Sequence, residues 1–234
     1  IGASCFGNDK LTAAGSVIQE CTNKGSVTGY LGKKKTSVYL GGIVGYSYGA
    51  SLRNCESTLG NKDFYAMETS DFAGEDDFVG DYMGGIVGYG TAGSTLENCT
   101  TKGGTLKGHK YVGGIAGYLE YDASMGNMIL DGKGAENKTD IIAYEYAGGI
   151  LGANASLDNS REPLESYEEA RIVQNWTNKG IVVSFVGYAG GITGFNTGKL
   201  VDCTSTKDLT VADGETQIAA IRNWINYDTE GCTG

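Results

Sequence analysis

Apolar and polar positions along the chain fall into two short phrases that alternate with one another. The first reads most plainly at Tyr82-Met83-Gly84-Gly85-Ile86-Val87-Gly88-Tyr89, and it returns at Tyr39–Tyr46, Tyr111–Tyr118, Tyr146–Ala153 and Tyr188–Phe195. The second follows it, as Leu52-Arg53-Asn54-Cys55, Leu96-Glu97-Asn98-Cys99, Val173-Gln174-Asn175-Trp176 and Leu200-Val201-Asp202-Cys203. A weaker β-rich stretch, such as Gly104-Thr105-Leu106-Lys107 or Gly180-Ile181-Val182-Val183, completes a unit. None of these runs is long enough for an ordinary helix, and turn residues punctuate them. Repetition on this scale decides the fold before any local motif does.

With the Ile of each Gly-Gly-Ile as origin, copies begin at Ile43, Ile86, Ile115, Ile150 and Ile192. Two degenerate copies extend the series. Ile1-Gly2-Ala3-Ser4-Cys5-Phe6-Gly7 aligns with Ile43–Gly49, and Ala219-Ala220-Ile221 aligns with Gly190-Gly191-Ile192. The origins are then spaced 42, 43, 29, 35, 42 and 29 residues apart, so 29 is the bare unit and the longer copies carry insertions. A competing reading of the C-terminal stretch makes Gln217–Asn226 a capping helix, because Ile218, Ile221 and Ile225 share a helical face.

Three strands of about four to six residues with three corners fit one rung of a parallel β-solenoid. The expected fold is all-β: a right-handed, three-sided β-helix of about six to seven coils, with 1–234 as a single domain. Right-handedness follows from the general chirality of parallel crossovers. Insertions are expected near 60–82 and 153–170. Equivalent residues would then stack about 4.8 Å apart along the axis. One apolar ladder reads Cys21, Cys55, Cys99, Met128, Trp176, Cys203, Cys232, and another Ile18, Leu52, Leu96, Met125, Val173, Leu200. Between them stand Glu20, Asn54, Asn98, Asn127, Asn175 and Asp202, where Asn suits a left-handed corner and stacked amides bond coil to coil.

Composition agrees with close stacking: 39 of 234 residues are Gly, Pro occurs once, and Gly does not recur at every third position as in collagen. The net charge of −10 is uneven. Residues 63–81 hold seven acids and no base, while 153–170 hold five acids against Arg161. Acidity therefore belongs to the insertions, where it keeps a rod soluble, and it argues against nucleic acid as a partner. No apolar run of 18 residues spans a membrane. The chain starts at Ile1 with no visible signal peptide, as a mature or excised piece of a longer surface protein would.

Candidate chemistry is sparse. Five of six cysteines occupy one repeat position that elsewhere holds Met or Trp, so they read as small buried hydrophobes and not as metal ligands or disulfide partners. With one histidine, His109, neither a zinc site nor a Ser or Cys triad is supported; no metal and no cofactor is expected. The ladder Tyr46, Tyr89, Tyr118 and Phe195 offers flat faces for sugar rings, although aromatic rows also stabilise sheets by packing alone. The acidic insertion adds Phe64, Tyr65, Phe72, Asp76 and Asp77 as a contact patch on a rigid scaffold. No Asp-x-Asp-x-Asp-Gly loop supports calcium there. The acids cluster in the insertions, not on one face as a glycosidase needs. The sequons at Asn98, Asn137, Asn154 and Asn175 carry little, since two fall inside the repeat.

The residues Gly84-Gly85-Ile86-Val87-Gly88-Tyr89, followed by Ser94-Thr95-Leu96-Glu97-Asn98-Cys99-Thr100-Thr101-Lys102-Gly103, resemble the GLUG repeat. That family of short repeats occurs in secreted and surface proteins of bacteria, including adhesins and non-catalytic parts of immunoglobulin A metallopeptidases. The resemblance implies an extracellular or cell-surface place, no enzymatic role, and a host glycan or extracellular protein as partner. The alternative is a carbohydrate-active β-helix, a polysaccharide lyase or glycoside hydrolase working along one face.

Overall fold

The computed structural model describes residues 4–6, 16–31, 38–60, 64–68, 81–91, 93–120, 128–156, 168–207 and 209–211. These are strands and turns with no helix among them, and every strand pairing is parallel. The chain passes through four sheets in turn, and each strand bonds its counterpart one rung away. This is the arrangement of a parallel β-solenoid.

The first sheet holds Tyr39–Gly41, Tyr82–Gly84, Tyr111–Gly113, Tyr146–Gly148 and Tyr188–Gly190. The second stacks Ser4–Phe6, Val44–Tyr48, Val87–Thr91, Ala116–Glu120, Leu151–Ala155 and Thr193–Asn196. The third runs from Val17–Gln19 through Ser51–Arg53, Thr95–Glu97, Met128–Asp131 and Glu168–Gln174 to Gly198–Val201. The fourth is the widest and includes Glu56–Gly60, Thr100–Gly108 and Glu136–Ala143. Ser4, Cys5 and Phe6 lie opposite Tyr46, Ser47 and Tyr48, an offset of 42 residues. The stretch 212–234, on which the degenerate last copy and the capping helix compete, lies outside the described residues.

Two readings of the repeat are corrected here. Gly-Gly-Ile is a corner and not a strand, so a rung has four strands where the spacing suggested three. The first and second sheets fold back on each other about this corner. The cause is close backbone approach: a Cβ on Gly41 would lie 2.7 Å from the Gly88 nitrogen, and one on Gly88 2.8 Å from the Leu40 nitrogen. Only glycine permits the two sheets to touch main chain to main chain. The second correction concerns the third rung. Met128 lies opposite Arg171 and Leu130 opposite Val173, while Ala135, just before the Glu136–Thr177 pair, takes the cysteine position. Most of the extra residues of that rung precede the second phrase and two more widen its corner around Lys133, which a constant offset from Ile115 misses.

The folded-back pair forms a wedge that divides the interior. On one side the second and third sheets enclose Ile43, Ile86, Ile115 and Ile150 with Leu52, Leu96, Leu130, Cys55, Cys99 and Trp176. On the other, Leu40, Met83 and Val112 of the first sheet meet Leu59, Leu106, Ile141 and Val182 of the fourth. Among the described residues, Cys21, Cys55, Cys99 and Cys203 belong to one core, are unbridged, and sit over backbone carbonyls, as Cys55 Sγ does 3.7 Å from Ile18 O. Trp176 fills that position in its rung and donates Nε1–H to Leu130 O at 3.2 Å.

The corner after the third sheet behaves as its residues require. Glu20, Asn54, Asn98, Asn175 and Asp202 all have positive φ, between 48° and 59°, and the third rung uses Lys133 at 47°. Asn98 Nδ2 donates to Asn54 Oδ1 at 2.8 Å, and Asn175 Nδ2 to Asp131 Oδ1 at 2.9 Å. Asn127, assigned to this ladder from the sequence, lies outside the described residues.

Candidate functional site

The wedge opens outward between Tyr39 and Tyr46, and the same pair of positions builds an aromatic seam along the axis, broken in the second sheet by Ala153 between Tyr118 and Phe195. Rings of the first sheet stack rung upon rung: Tyr39–Tyr82 at 5.0 Å, Tyr82–Tyr111 at 5.4 Å, Tyr111–Tyr146 at 4.9 Å and Tyr146–Tyr188 at 5.3 Å. Rings of the second sheet do likewise, Tyr46–Tyr89 at 5.4 Å and Tyr89–Tyr118 at 5.7 Å. Across the mouth they meet edge to face, Tyr82–Tyr89 at 78° and Tyr111–Tyr118 at 82°. Parallel stacking sets the first geometry and the ring quadrupole favours the second.

The aromatic residues singled out in the sequence therefore have unequal positions. Tyr89 and Tyr118 are 7% and 0% exposed, so their ring faces are spent on neighbours. Tyr46 and Phe195 are half-buried at the two ends of the seam, as are Tyr39 and Tyr146. Tyr188 reaches 59% exposure. Burial, followed by the carboxylate of Glu120 that accepts its O–H, pushes the Tyr89 phenol above its ordinary range. Thr91 Oγ1 donates to the same carboxylate at 2.9 Å. Phe64 and Tyr65 belong to a strand, Phe64–Glu68, that lies opposite Leu106 and Lys107 and so continues the fourth sheet instead of forming a separate lobe. Phe72, Asp76 and Asp77 lie outside the described residues.

The described strand ends on either side of the seam flank the longest connections in the sequence. Residues 121–127 and 157–167 join the second sheet to the third, while 32–37 and 69–80 lead from the fourth sheet to the first. One anchor was missed in the sequence. Arg171, fully buried where the chain re-enters the third sheet, donates to Asn154 O at 3.1 Å, to Ser156 Oγ at 3.0 Å and to Thr197 Oγ1. Arg171 shares the inward face of its strand with Val173, two residues on. Its only sequence signal is a lone Arg between an acidic insertion and an apolar strand.

A second polar feature is internal. Thr101, Asn137 and Asn178 point from the fourth sheet onto the second glycine of each Gly-Gly pair. Thr101 Oγ1 donates to Asn137 Oδ1 at 2.5 Å, Asn137 Nδ2 to Asn178 Oδ1 at 2.8 Å, and Asn178 Nδ2 to Ser205 Oγ at 3.2 Å. Each amide also closes a turn two residues on, as in Gly180 N–H to Asn178 Oδ1 at 3.1 Å. Asn137 and Asn154 are fully buried, so the sequons there are structural in the folded chain.

Several charged groups on the described surface are paired, most of them between neighbouring rungs. Lys102 meets Glu56 at 2.5 Å, Lys133 meets Glu97 at 2.5 Å, and Glu136 lies between Lys138 and Lys179. Hydrogen bonds from those two ammonium groups hold the Glu136 carboxyl down at about 2. The Cys99 thiol, hydrogen-bonded to Cys55 and buried, lies well above the usual thiol range. Among the described residues no group of three or more His, Cys, Asp or Glu is arranged to hold a metal ion, and no helix is long and apolar enough to cross a membrane.

Residues 36–59, which hold the first clear Tyr-x-Gly-Gly-Ile phrase and its Leu-x-Asn-Cys corner, match the family model described as the GLUG motif. No curated protein matches the chain. No solved structure matches it either.

Proposed function

We propose that this GLUG-motif chain is a non-enzymatic binding module of a bacterial cell-surface or secreted protein, adhesin-like in use. In this reading it is a right-handed coil of six to seven turns and part of a longer surface protein. It holds its connections out for contact with a host glycan or an extracellular protein. The observation that carries the reading is the division of labour across a rung. Buried amides, hydroxyls and rings bond the same position one rung away, as Asn137 does to Asn178 and Tyr111 to Tyr146. The chain's longest connections instead run, in sequence, between the second and third sheets and between the fourth and first. A rigid scaffold with variation at its corners is the usual layout of a recognition surface.

Glycan-array and matrix-protein binding, run beside a reducing-sugar release assay, test this. Saturable binding that weakens when 69–80 or 157–167 is shortened, without sugar release, is the expected result. Sugar release that disappears on replacing a single acid would overturn it in favour of a lyase or hydrolase.

A further inference from the structure

Two lanes of polar side chains run along the outward face of the fourth sheet. Thr101, Asn137 and Asn178 are buried beneath it, so the residue after each points out. Register sets Lys102 opposite Lys138 and carries Lys179 one rung further. These three side chains are 46%, 47% and 42% exposed, open enough to meet a ligand. Beside them lies a lane of Glu56, Thr100, Glu136 and Thr177, all partly exposed.

Like charges directly opposite one another destabilise paired strands, and the second lane relieves this only in part. Glu136 lies 2.8 Å from Lys138 and also meets Lys179. Glu56 meets Lys102 at 2.5 Å and feels the exposed Lys24 of the rung before. Each carboxylate thus serves two ammonium groups. Among the described residues, four lysines stand against two glutamates here. The third sheet is balanced by comparison, with Arg53 and Lys133 set against Glu97 and Asp131.

We infer that these lanes bind an extended acidic polysaccharide lying along the axis. Its carboxylate or sulfate groups rest on Lys102, Lys138 and Lys179, and its hydroxyls meet Thr100, Thr177 and the two glutamates. The inference rests on the reading of the chain as a glycan-binding module, and it moves the contact from the connections to a sheet face. Ammonium groups recurring at the strand spacing, about 4.8 Å, suit a polymer with charge repeated along it and not a compact anion. The hydroxyl and carboxylate oxygens alongside suit a ligand rich in hydroxyls. Nucleic acid favours an unbroken basic groove with aromatic rings that stack its bases, and two glutamates interrupt this one.

Fluorescence anisotropy tests this, with labelled polygalacturonate, dextran sulfate, neutral dextran and oligothymidylate each titrated with the whole chain. Both acidic polysaccharides are expected to bind and neutral dextran is not, with affinity falling as salt rises because bound ammonium groups release counterions. The tighter of the two identifies the anion as carboxylate or sulfate. Lys102→Gln or Lys138→Gln should weaken binding about two- to fivefold, the scale of one exposed ion pair. Glu136→Gln releases two lysines and should strengthen binding by a similar factor, which a purely structural pair would not do. Arg53→Gln, on the third sheet, should leave it unchanged, and thermal melts verify that each variant is folded. Binding that ignores the lysine and Glu136 changes, or that falls equally in Arg53→Gln, would overturn the lanes. Oligothymidylate bound as tightly as the polysaccharides would overturn the choice of ligand. Failure of both acidic polysaccharides to bind would overturn the inference alone, since the module reading fails on sugar release instead.

Discussion

Replacing Gly84 by Ala probes the wedge where it is tightest. The new Cβ would fall onto the Val87 carbonyl oxygen and within 2.6 Å of Ala116 Cα and 2.8 Å of the Gly117 nitrogen. Overpacking a core ordinarily costs about 1–3 kcal/mol because side chains yield. Here the atoms met are main chain, and neighbouring rungs hold them in register through Val87 and Ala116. The cost should therefore reach about 3 kcal/mol or more, the upper end of that range. In a chain of this size each kcal/mol lowers Tm by about 2–4 °C, so a fall of about 6–12 °C follows. Gly25→Ala is the control: its Cβ meets only Asn23 Oδ1, at 3.7 Å. That change should range from neutral to about 1 kcal/mol stabilising, through lost freedom of the unfolded chain. Thermal melts followed by circular dichroism compare the two. If Gly84→Ala falls within about 1 kcal/mol of Gly25→Ala, the glycine corner is not a backbone contact and the division of the interior is wrong.

Other outcomes follow from the same packing. Trp176→Ala removes a fully buried ring and its bond to Leu130 O, and should cost about 3–5 kcal/mol in urea unfolding. Asn137→Ala leaves Thr101, the Thr139 N–H and Asn178 short of buried partners, and should cost about 2–3 kcal/mol by the same assay. Peptide mapping after brief thiol alkylation should find Cys21 and Cys203 labelled before Cys55 and Cys99, which wait for unfolding. Glu136, Glu56 and Asp131 all titrate below their ordinary values in the folded chain. Their contribution is present above the unfolded carboxylate range, about 4, and is lost as pH falls towards the value of about 2 held by Glu136. Tm measured from pH 6 to pH 2 should decline across that window, less steeply in Glu136→Gln.

Much of the architecture was legible because stacking repeats one environment at each position. The Cys, Leu and Asn ladders could be read off Leu52-Arg53-Asn54-Cys55 and its relatives, and the structure places Cys55, Cys99 and Trp176 in one core. The corner at Gly-Gly-Ile was not legible as a corner. A strand with glycines and a tight fold-back have the same composition, and only the approach of Gly88 to Leu40 separates them. The third rung misled because an insertion does not announce which side of a phrase it falls on, so Met128 was taken for Ala135's position. The internal amides Asn137 and Asn178 were hidden for a different reason: their glycine partners, Gly114 and Gly149, stand 23 and 29 residues earlier, at a corner that the fourth sheet meets only once the rung closes. At the candidate site the sequence named the column of Tyr46, Tyr89, Tyr118 and Phe195 but not its pairing with Tyr39, Tyr82 and Tyr111. It is that pairing which buries Tyr89 and Tyr118 and leaves Tyr46 and Phe195 partly open.

The most direct test of the stacked rungs is scalar coupling through hydrogen bonds, measured by NMR on deuterated protein. Ile86 N–H donates to Ile115 O at 2.9 Å, and Ile115 N–H to Ile150 O at 2.9 Å. Cross-bond couplings from the Ile86 amide nitrogen to the Ile115 carbonyl carbon, and from Ile115 to Ile150, are expected. Couplings confined to a single unit, or rapid exchange of these amides with solvent, would contradict the parallel stack.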